Sequence, residues 1–398
     1  MNTLHPVYHA AVACKDYMVG LRRAIHQTPE LSYRERSTAQ LIKTELDQMG
    51  IPWVAVGEYG VVATVEGRHQ NAMVALRADM DALPIQEEND HLAYCSHVPG
   101  VMHACGHDGH VAMLLAAARL LLQFKDQLQG TVKLCFQQAE EQGGGTEALL
   151  AHLAPFPVKS AFAIHLWSEI DIGKISTRAG PCMAACDNFE VVLEGVGCHG
   201  ATPHRGIDPI VAAAALVGNV SSVMSREINP AHAAALTFGK LQSGQAGNVI
   251  PRQALLAGSI RTTHKADQVH LHEALRRVVE STAATFRAGA RLDIRRGGPV
   301  LINEERSSAL AARCVAELFG DGHLIDFPPL MVSENFGDFL EHYPGLMALV
   351  GSRNEQVGAH FAHHHPRFNI DEDALPRGAA LHVVYALQTL AGVGSAQS

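Results

Sequence analysis

The feature that most constrains this chain is a short window crowded with side chains that bind metal ions. Residues 103–110 read HACGHDGH, and an apolar run with helical spacing follows at once, from Val111 to Leu122. The window is therefore predicted to be a tight turn that opens a helix. Because a helix N-terminus lowers the pKa of a nearby thiol, Cys105 is expected to be a thiolate. Cys105 and His107 could then bind one ion or two adjacent ions, although a histidine-rich surface turn would have the same composition.

Length and composition limit the class of protein. A chain of 398 residues exceeds the size at which single cores split, so two domains are expected. The net charge of -9 and the lack of a long Lys/Arg block argue against nucleic acid or an anionic membrane as a partner. No apolar run approaches the length of a membrane span, and the first twenty residues do not resemble a signal peptide. Eight scattered cysteines are typical of reduced thiols, which predicts a cytoplasmic protein.

The order of helical and strand-like segments predicts two domains of different architecture. Helices over 5–25 and 34–49, the second with Ser32 as its N-cap, precede an alternation of strand and helix that continues to about residue 180. This alternation predicts an α/β sheet with helices on its faces. Residues 185–299 instead follow a β-α-β-β-α-β order, which is the ferredoxin-like α+β pattern. We therefore predict a mixed-sheet α/β catalytic domain of residues 1–184 and 300–398, with the other domain inserted; the tail from residue 392 is expected to be loose.

Further residues of metal-binding type stand at the ends of predicted strands. Five side chains could serve as ligands: Cys105, His107, Glu141, His165 and one of the triplet His363–His365. One zinc ion needs three or four ligands, whereas five suit two ions about 3.5–4 Å apart. Adjacent carboxylates at a strand end point to opposite sides, so Glu141 is expected to bind metal while Glu140 faces a bound water as its base. This set predicts hydrolysis of an amide or related acyl bond.

The chain resembles a known family along nearly its whole length. The motifs that carry the resemblance are LRADMDALP (76–84), HACGHDGH (103–110), QQAEEQGGG (137–145), HLW (165–167), CHGATPHRGIDP (198–209), GNVIP (247–251), SENFGDF (333–339) and HHPRFNIDEDALPRGAALH (364–382). Together they are similar to the aminoacylase/hippurate hydrolase family of dinuclear metallopeptidases, in the subgroup of N-acyl amino acid and indoleacetyl-amino acid amidohydrolases. The resemblance implies a metal-dependent amidohydrolase that releases a carboxylic acid and a free amino acid.

The resemblance also implies a role for individual residues. Cys105 resembles the bridging metal ligand, and His364 is the member of its triplet that lies two residues before proline, as the family's ligand does. Two divalent ions per chain are expected, zinc or manganese first, with cobalt or nickel as further options. The remaining implied roles are terminal ligands for His107, Glu141 and His165, general base for Glu140, and ligand orientation for Asp79 and Asp81. Five further histidines are extra to the family pattern, and we expect them at surface or ligand-supporting positions: His103, His110, His204, His363 and His365.

The inserted domain, residues 185–299, resembles a lid through which the family forms homodimers. A histidine at the position of His199 reaches the partner's active site in that family, and Asn248 and Arg261 resemble positions that bind the substrate carboxylate. An arginine fork suits a carboxylate because it offers two parallel hydrogen bonds. The chain departs from the family pattern at Gln138, Gln142 and Cys198, none of which is an expected ligand.

Three other functions remain as alternatives. A metallo-dipeptidase or carboxypeptidase would use the same metal pair on a peptide substrate. A cysteine hydrolase would use Cys105 as nucleophile with His107 or His165 as base, but it would leave the paired glutamates without a role. A non-catalytic metal-binding or interaction protein on the same fold would be expected to have lost Glu140 or Glu141, and both are present.

Overall fold

A computed structural model of the protein describes residues 5–391, which form two compact units. The first unit comprises residues up to 180, 302–328 and from 338 onward; the second comprises 181–301 and 329–337. The stretch 329–337, assigned from the sequence to the catalytic domain, therefore packs with the second unit. The predicted loose tail, 392–398, lies outside the described residues.

Residues 5–391 contain ten α-helices. They are α1 (Pro6–Ala13), α2 (Lys15–Gln27), α3 (Arg36–Gln48), α4 (His107–Gln123), α5 (Thr146–Leu153), α6 (Pro209–Arg226), α7 (Lys265–Thr285), α8 (Glu305–Phe319), α9 (Gly337–His342) and α10 (Ala374–Ala391).

The same residues contain fifteen β-strands. They are β1 (Trp53–Val56), β2 (Gly60–Glu66), β3 (Met73–Asp79), β4 (Thr131–Gln137), β5 (Val158–Asp171), β6 (Ile175–Ser176), β7 (Gly180–Met183), β8 (Ala185–Glu194), β9 (Cys198–His199), β10 (Ala234–Ser243), β11 (Val249–Ile250), β12 (Gln253–Thr262), β13 (Gly289–Gly298), β14 (Leu301–Asn303) and β15 (Gly345–Arg353).

A seven-stranded mixed sheet forms the centre of the first unit. Its strand order is β1-β2-β4-β3-β5-β15-β6, in which β4, β3, β5 and β15 are parallel neighbours and the outer pairs are antiparallel. The parallel strands are almost entirely buried, as parallel strands covered on both faces must be. Their carboxyl ends meet at one edge of the sheet, which is where open α/β sheets place their chemistry. The predicted mixed α/β fold is confirmed.

Helix α4 is held rigidly in the core of the first unit. Of its 17 residues, 14 are buried, and it is apolar on nearly every side, which is the pattern of a central helix rather than a surface helix. Helix α10 packs in the same core, and its Gly378 lies so close to Met113 of α4 that a Cβ atom would come within 2.1 Å of the sulfur. The residues at the start of α4 are therefore fixed by packing along its length.

The second unit has the predicted ferredoxin-like order. Strands β10-β12-β8-β13 form an antiparallel sheet, and α6 and α7 bury their apolar faces in the unit's separate core. Among residues 5–391, α6 is long and apolar enough to cross a membrane by length and composition alone, a test that the core helix of a soluble protein also passes. Ala212, Leu216 and Val220 of this helix nevertheless pack within the unit, as in a core helix.

The N-terminal helices differ from the prediction in two details. The helix predicted over 5–25 is divided at Cys14, where α1 ends and α2 begins. Helix α3 does not use Ser32 as its cap; instead the Glu30 carboxylate accepts hydrogen bonds from the backbone N–H groups of Ser37 and Thr38, both at 2.9 Å. A carboxylate satisfies these exposed N–H groups better than a hydroxyl because its charge also opposes the helix dipole.

Candidate metal centre

The residues predicted to bind metal converge at the start of α4. Gly106 is the residue before the helix, and its φ of 93° is a left-handed conformation that glycine adopts without strain. The turn brings Cys105 Sγ to 3.7 Å from His165 Nε2. His165 lies within β5, which continues to Asp171 instead of ending at this histidine as predicted. One ligand atom from each of Cys105, His107 and His165 lies within 4.8 Å of the other two. This first group offers one sulfur and two nitrogen ligands.

A second group of ligand types shares Cys105 with the first. Cys105, Glu141 and His364 also bring one ligand atom each within 4.8 Å of one another. Glu141 Oε1 lies 3.4 Å from His364 Nε2 and 3.9 Å from His107 Nε2. Two adjacent groups with one residue in common have the composition expected of a dinuclear site with a bridging ligand.

Two buried atoms at this site show that the residues fit a cation. Among the described residues, His107 Nε2 and Glu141 Oε1 are buried without any hydrogen-bond partner. Burying polar atoms without partners is costly, and a positive ion between them would satisfy both. His107 Nδ1 donates to the backbone carbonyl of Asp81 at 2.8 Å, so the neutral ring has its lone pair on Nε2, which is the form that binds metal. We assign this tautomer from the hydrogen bond.

Two aspartates at the end of β3 hold the ligands in place. The Asp81 carboxylate accepts hydrogen bonds from the backbone N–H groups of Glu140 and Glu141, at 3.1 and 3.0 Å, and from the Ser32 hydroxyl at 2.7 Å. Burial by itself would raise the pKa of Asp81, but the hydrogen bonds from His107 and Ser32 lower it. Ser32, expected to cap a helix, thus helps to keep Asp81 ionised.

Asp79 and His110 support the opposite side of the site. Asp79 receives a hydrogen bond from His110 Nδ1 at 2.6 Å, and His110 Nε2 accepts one from the backbone N–H of Leu166 at 2.9 Å. Both ring nitrogens of His110 are therefore occupied, although His110, His107 and Asp79 also lie within ligand distance of one another. The pair fixes the start of α4 against the middle of β5, where His165 lies.

The protonation state of Cys105 differs from the prediction. Removal from water raises the pKa of its thiol well above the ordinary value, and the neighbouring Glu141 carboxylate raises it further. The predicted lowering by the helix N-terminus was wrong because desolvation and a nearby negative charge outweigh it. Coordination to a cation would deprotonate the thiol outright.

The structure distinguishes the three histidines of the triplet. His363 uses both ring nitrogens, with Ser168 Oγ at 3.1 Å and the Leu166 carbonyl at 3.0 Å. Burial lowers the pKa of His363 to about 3, so it stays neutral. His365 Nδ1 accepts from the Arg367 N–H at 2.9 Å. His364 alone of the three belongs to a ligand group, facing Glu141.

The paired glutamates lie in a different local structure from the one predicted. Strand β4 ends at Gln137, and Glu140–Gln142 form a single 3-10 turn. Strand alternation therefore does not apply, and one carboxylate oxygen from each of Glu140 and Glu141 falls within 4.8 Å of a His107 nitrogen. Both carboxylates thus border the same site.

The other predicted site residues lie in the second unit. His199 and Asn248 are neighbours there, because β9 pairs with β11 and the Gly200 N–H donates to the Asn248 carbonyl at 2.8 Å. Arg261, on β12, is not with them: its Nη1 donates to the Met331 carbonyl at 2.8 Å. His204 is exposed in a 3-10 turn.

A buried network beside the site was missed by sequence reasoning. Arg22 is fully buried and its Nε donates to the Asp108 carboxylate at 2.8 Å, while His26 Nδ1 contacts the same oxygen at 2.7 Å. His103, buried nearby with its pKa lowered to about 3 by desolvation, stays neutral. Nothing in the sequence of the amphipathic helix indicates that Arg22 is buried. Only Asp108, the aspartate of HACGHDGH, could have suggested that a basic side chain packs there.

Comparisons with known proteins identify the family. A model of the family described as Peptidase family M20/M25/M40 matches residues 75–388. The chain belongs to this family. The predicted resemblance is confirmed, and membership makes the chain a metal-dependent hydrolase, as the sequence indicated.

Similar proteins match this chain along nearly its whole length. The Arabidopsis thaliana protein named IAA-amino acid hydrolase ILR1-like 2 is 40% identical over 382 residues, which cover 94% of this chain and 85% of the relative. Thermostable carboxypeptidase 2 of Saccharolobus solfataricus is 35% identical over 379 residues, covering 94% and 95%. The crystal structure of the Bacillus subtilis YXEP protein, a dinuclear metal-binding peptidase, is similar with a TM-score of 0.83 at 32% identity, covering 94% of this chain and 98% of that one.

Proposed function

We propose that this M20-family hydrolase cleaves the amide bond of N-acyl amino acids, releasing a carboxylic acid and a free amino acid. The observation that carries the proposal is the pair of ligand groups that share Cys105, with His107 Nε2 and Glu141 Oε1 buried and unsatisfied among the described residues. The relative named as an IAA-amino acid hydrolase supports an acyl-amino acid substrate.

Two divalent ions would be held by Cys105, His107, Glu141, His165 and His364. A bound pair supplies a nucleophilic water at neutral pH and polarises the substrate carbonyl. A bridging thiolate favours zinc, and manganese, cobalt and nickel are accepted by nitrogen and oxygen ligands of this kind. Metal content measured on the purified protein, with activity before and after chelation, tests this part of the proposal.

Glu140 is the residue we assign to proton transfer. Its backbone N–H is fixed by Asp81 at 3.1 Å, and its carboxylate borders the same site as the ligand Glu141. Such a carboxylate can take a proton from the attacking water and return it to the leaving amine. The hydrogen bond from the Glu140 N–H to Asp81 holds the backbone of this base in position.

The variant Glu140→Gln tests this assignment. We expect kcat to fall by about 10²–10⁴-fold, the usual contribution of a general base, with the metal content unchanged. Glu147→Gln, an exposed carboxylate on the helix that follows, is the matched control and should keep full activity. A Glu140→Gln enzyme with near-normal kcat would contradict the assignment.

A peptidase is the second candidate function. The carboxypeptidase relative and the family's description favour it. A panel of N-acetyl, benzoyl and indoleacetyl amino acids, set beside matched dipeptides, separates the two candidates by kcat/KM. Faster turnover of the dipeptides would replace the N-acyl amino acid proposal.

The cysteine-hydrolase alternative is disfavoured by the state of Cys105. Desolvation raises the pKa of its thiol, whereas a nucleophilic cysteine needs a lowered pKa. Activity that survives complete chelation but disappears on thiol alkylation would restore that alternative.

We further infer that the second unit acts as a lid and joins two chains into a homodimer. Among the described residues, β10 pairs only with β12, so one edge of the sheet is unpaired. Ile210, Val211 and Val217 on α6 are exposed apolar side chains, with 42%, 49% and 36% of their surface accessible. An unpaired strand edge beside exposed apolar residues is a favourable surface for pairing with a second copy. Sedimentation of the wild type and of Val211→Glu tests the dimer.

In this dimer His199 would support the oxyanion in the partner's site, and Asn248 and Arg261 would bind the substrate carboxylate. Mixing Glu140→Gln chains with His199→Asn chains tests the exchange. If His199 acts across the dimer, mixed dimers contain one site with both residues intact and recover activity. If it acts within its own chain, mixing recovers none.

Two properties of the sequence support a cytoplasmic enzyme that acts on a small molecule. All eight cysteines are free thiols, which supports a reducing compartment, the cytoplasm. The net charge of -9 supports a small-molecule substrate rather than nucleic acid or a membrane.

A further inference from the structure

A second cluster of metal-binding side chains lies in the second unit, where the loop before β10 meets the start of α7. It consists of His232, His264 and Asp267, which bring one ligand atom each within 4.8 Å of one another. His232 belongs to the loop, whereas His264 is the N-cap of α7 and Asp267 is in its first turn. None of the three is a residue of the proposed active site.

The two histidine rings of this cluster lie face to face. Their centroids are 3.5 Å apart and their planes differ by 7°. His232 Nδ1 is 2.6 Å from Asp267 Oδ2, so one proton is shared between a ring nitrogen and a carboxylate. His232 Nε2 accepts from the Asn229 side-chain amide at 3.3 Å. Two imidazoles and a carboxylate thus lie side by side at the surface.

Hydrogen bonds indicate which nitrogen of His264 is available. The Thr263 hydroxyl donates to the Ala233 carbonyl at 3.3 Å, so it can only accept from His264 Nδ1, which is 3.1 Å away. The proton of a neutral His264 is then on Nδ1, and the lone pair is on Nε2. A neutral imidazole with one nitrogen oriented by a hydrogen bond is the usual form of a metal ligand.

We propose that His232, His264 and Asp267 form a third metal site, separate from the catalytic pair, that binds a divalent transition-metal ion. The ion takes the place of the proton on His232 Nδ1, which moves to Nε2 of the same ring as the contact with the Asn229 amide is given up. A nitrogen of His264 completes the ligand set, and binding to these neutral rings and the carboxylate releases no proton. Two imidazoles and one carboxylate favour zinc, nickel or copper over calcium or magnesium, which prefer oxygen ligands alone.

An ion can enter this cluster only when the stacked rings separate, because an imidazole nitrogen binds metal in the plane of its ring and parallel planes do not meet at one point. Ligands at about 2.1 Å from a tetrahedral zinc are roughly 3.4 Å apart, so the 2.6 Å contact between His232 Nδ1 and Asp267 Oδ2 must also open by side-chain rotation. The side chains of His232 and Asp267 remain partly exposed, at 29% and 15%, so solvent reaches them. A bound ion would tie the loop before the edge strand β10 to the first turn of α7.

The alternative is that the cluster only caps the helix. Asp267 in the first turn of α7 is favourable to the helix dipole without any ion. The two explanations differ in the number of metal ions bound per chain, because a cluster that only caps the helix binds no ion.

The test is the number of zinc ions bound by the holoenzyme in equilibrium dialysis. We expect the wild type to hold one ion per chain more than His264→Asn or Asp267→Asn, while turnover is the same in all three proteins. The matched control is His270→Asn, which removes a histidine paired with Glu227 at 3.1 Å on the same helix but without a second imidazole. This control should keep the extra ion.

Two results would overturn the proposal. One is equal zinc content in the wild type and both cluster variants; the other is an equal loss in His270→Asn, which would show only adventitious surface binding. Because these variants leave the catalytic ligands intact, failure here is distinguishable from failure of the dinuclear centre.

Discussion

Replacement of the buried Arg22 should destabilise the first unit far more than replacement of its neighbour Arg23. Arg22 is 0% exposed and contacts Asp108 at 2.8 Å, Asn369 at 3.0 Å and Glu372 at 3.2 Å. Burial would raise the pKa of Asp108, and the Arg22 guanidinium holds it far below its usual range. Arg22→Met leaves that carboxylate buried with only His26 as its charged partner.

The expected loss is about 3–5 kcal/mol, the cost of leaving one member of a buried ion pair uncompensated. Arg23 also bonds Glu372, at 2.9 and 2.6 Å, but its side chain is 44% exposed. Arg23→Met should therefore cost at most about 1 kcal/mol, because solvent screens an exposed pair.

Urea unfolding followed by tryptophan fluorescence measures this difference. The chain has two tryptophans, Trp53 and Trp167, and both lie in the first unit, so the signal does not report on the second. The measurement is made with chelator present, so that metal binding does not add to the stability. Equal unfolding midpoints for the two variants would refute the reasoning, because they would show that Asp108 is solvated or protonated when Arg22 is absent.

Two further predictions follow from buried groups elsewhere. Burial lowers the pKa of His382 to about 3, so the unfolded chain binds the proton more tightly and the stability due to this residue falls as the pH drops below about 6.5. Between pH 6.5 and 5 the loss of stability is about 2 kcal/mol, or 1.36 kcal/mol per pH unit. His382→Leu should flatten the fall of the free energy of unfolding over this pH range, measured by urea unfolding at a series of pH values. Equal slopes for the wild type and the variant would contradict the prediction. Gly378→Ala should lower the free energy of unfolding by about 1–3 kcal/mol, because its new Cβ would lie 2.1 Å from Met113 Sδ. Gly218→Ala in α6 should raise it by about 0.5–1 kcal/mol, because no atom lies within 4 Å of the new Cβ and alanine favours the helix. Thermal unfolding by circular dichroism compares the two, and shifts of the same sign would contradict the packing argument.

Much of the fold and of the candidate site follows from local patterns in the sequence. The apolar run after HACGHDGH predicts α4 because helical periodicity is a property of neighbouring residues. The β-α-β-β-α-β order predicts the second unit for the same reason, and its strand order in the structure is ferredoxin-like. Cysteine, histidine and carboxylate at strand ends indicate a metal centre because few other functions use that set.

Properties that depend on burial or on distant partners were decided by the tertiary structure. His363 and His364 are adjacent in sequence, yet only packing against Leu166 and Ser168 occupies both nitrogens of the first. The pKa of Cys105 rises because desolvation depends on everything packed around it, whereas the helix dipole that predicted the opposite is local. Arg22 and Asp108 are 86 residues apart, so no spacing rule connects them. Electrostatic energies depend on distance and solvent exposure in space, and a sequence specifies neither until the chain has folded.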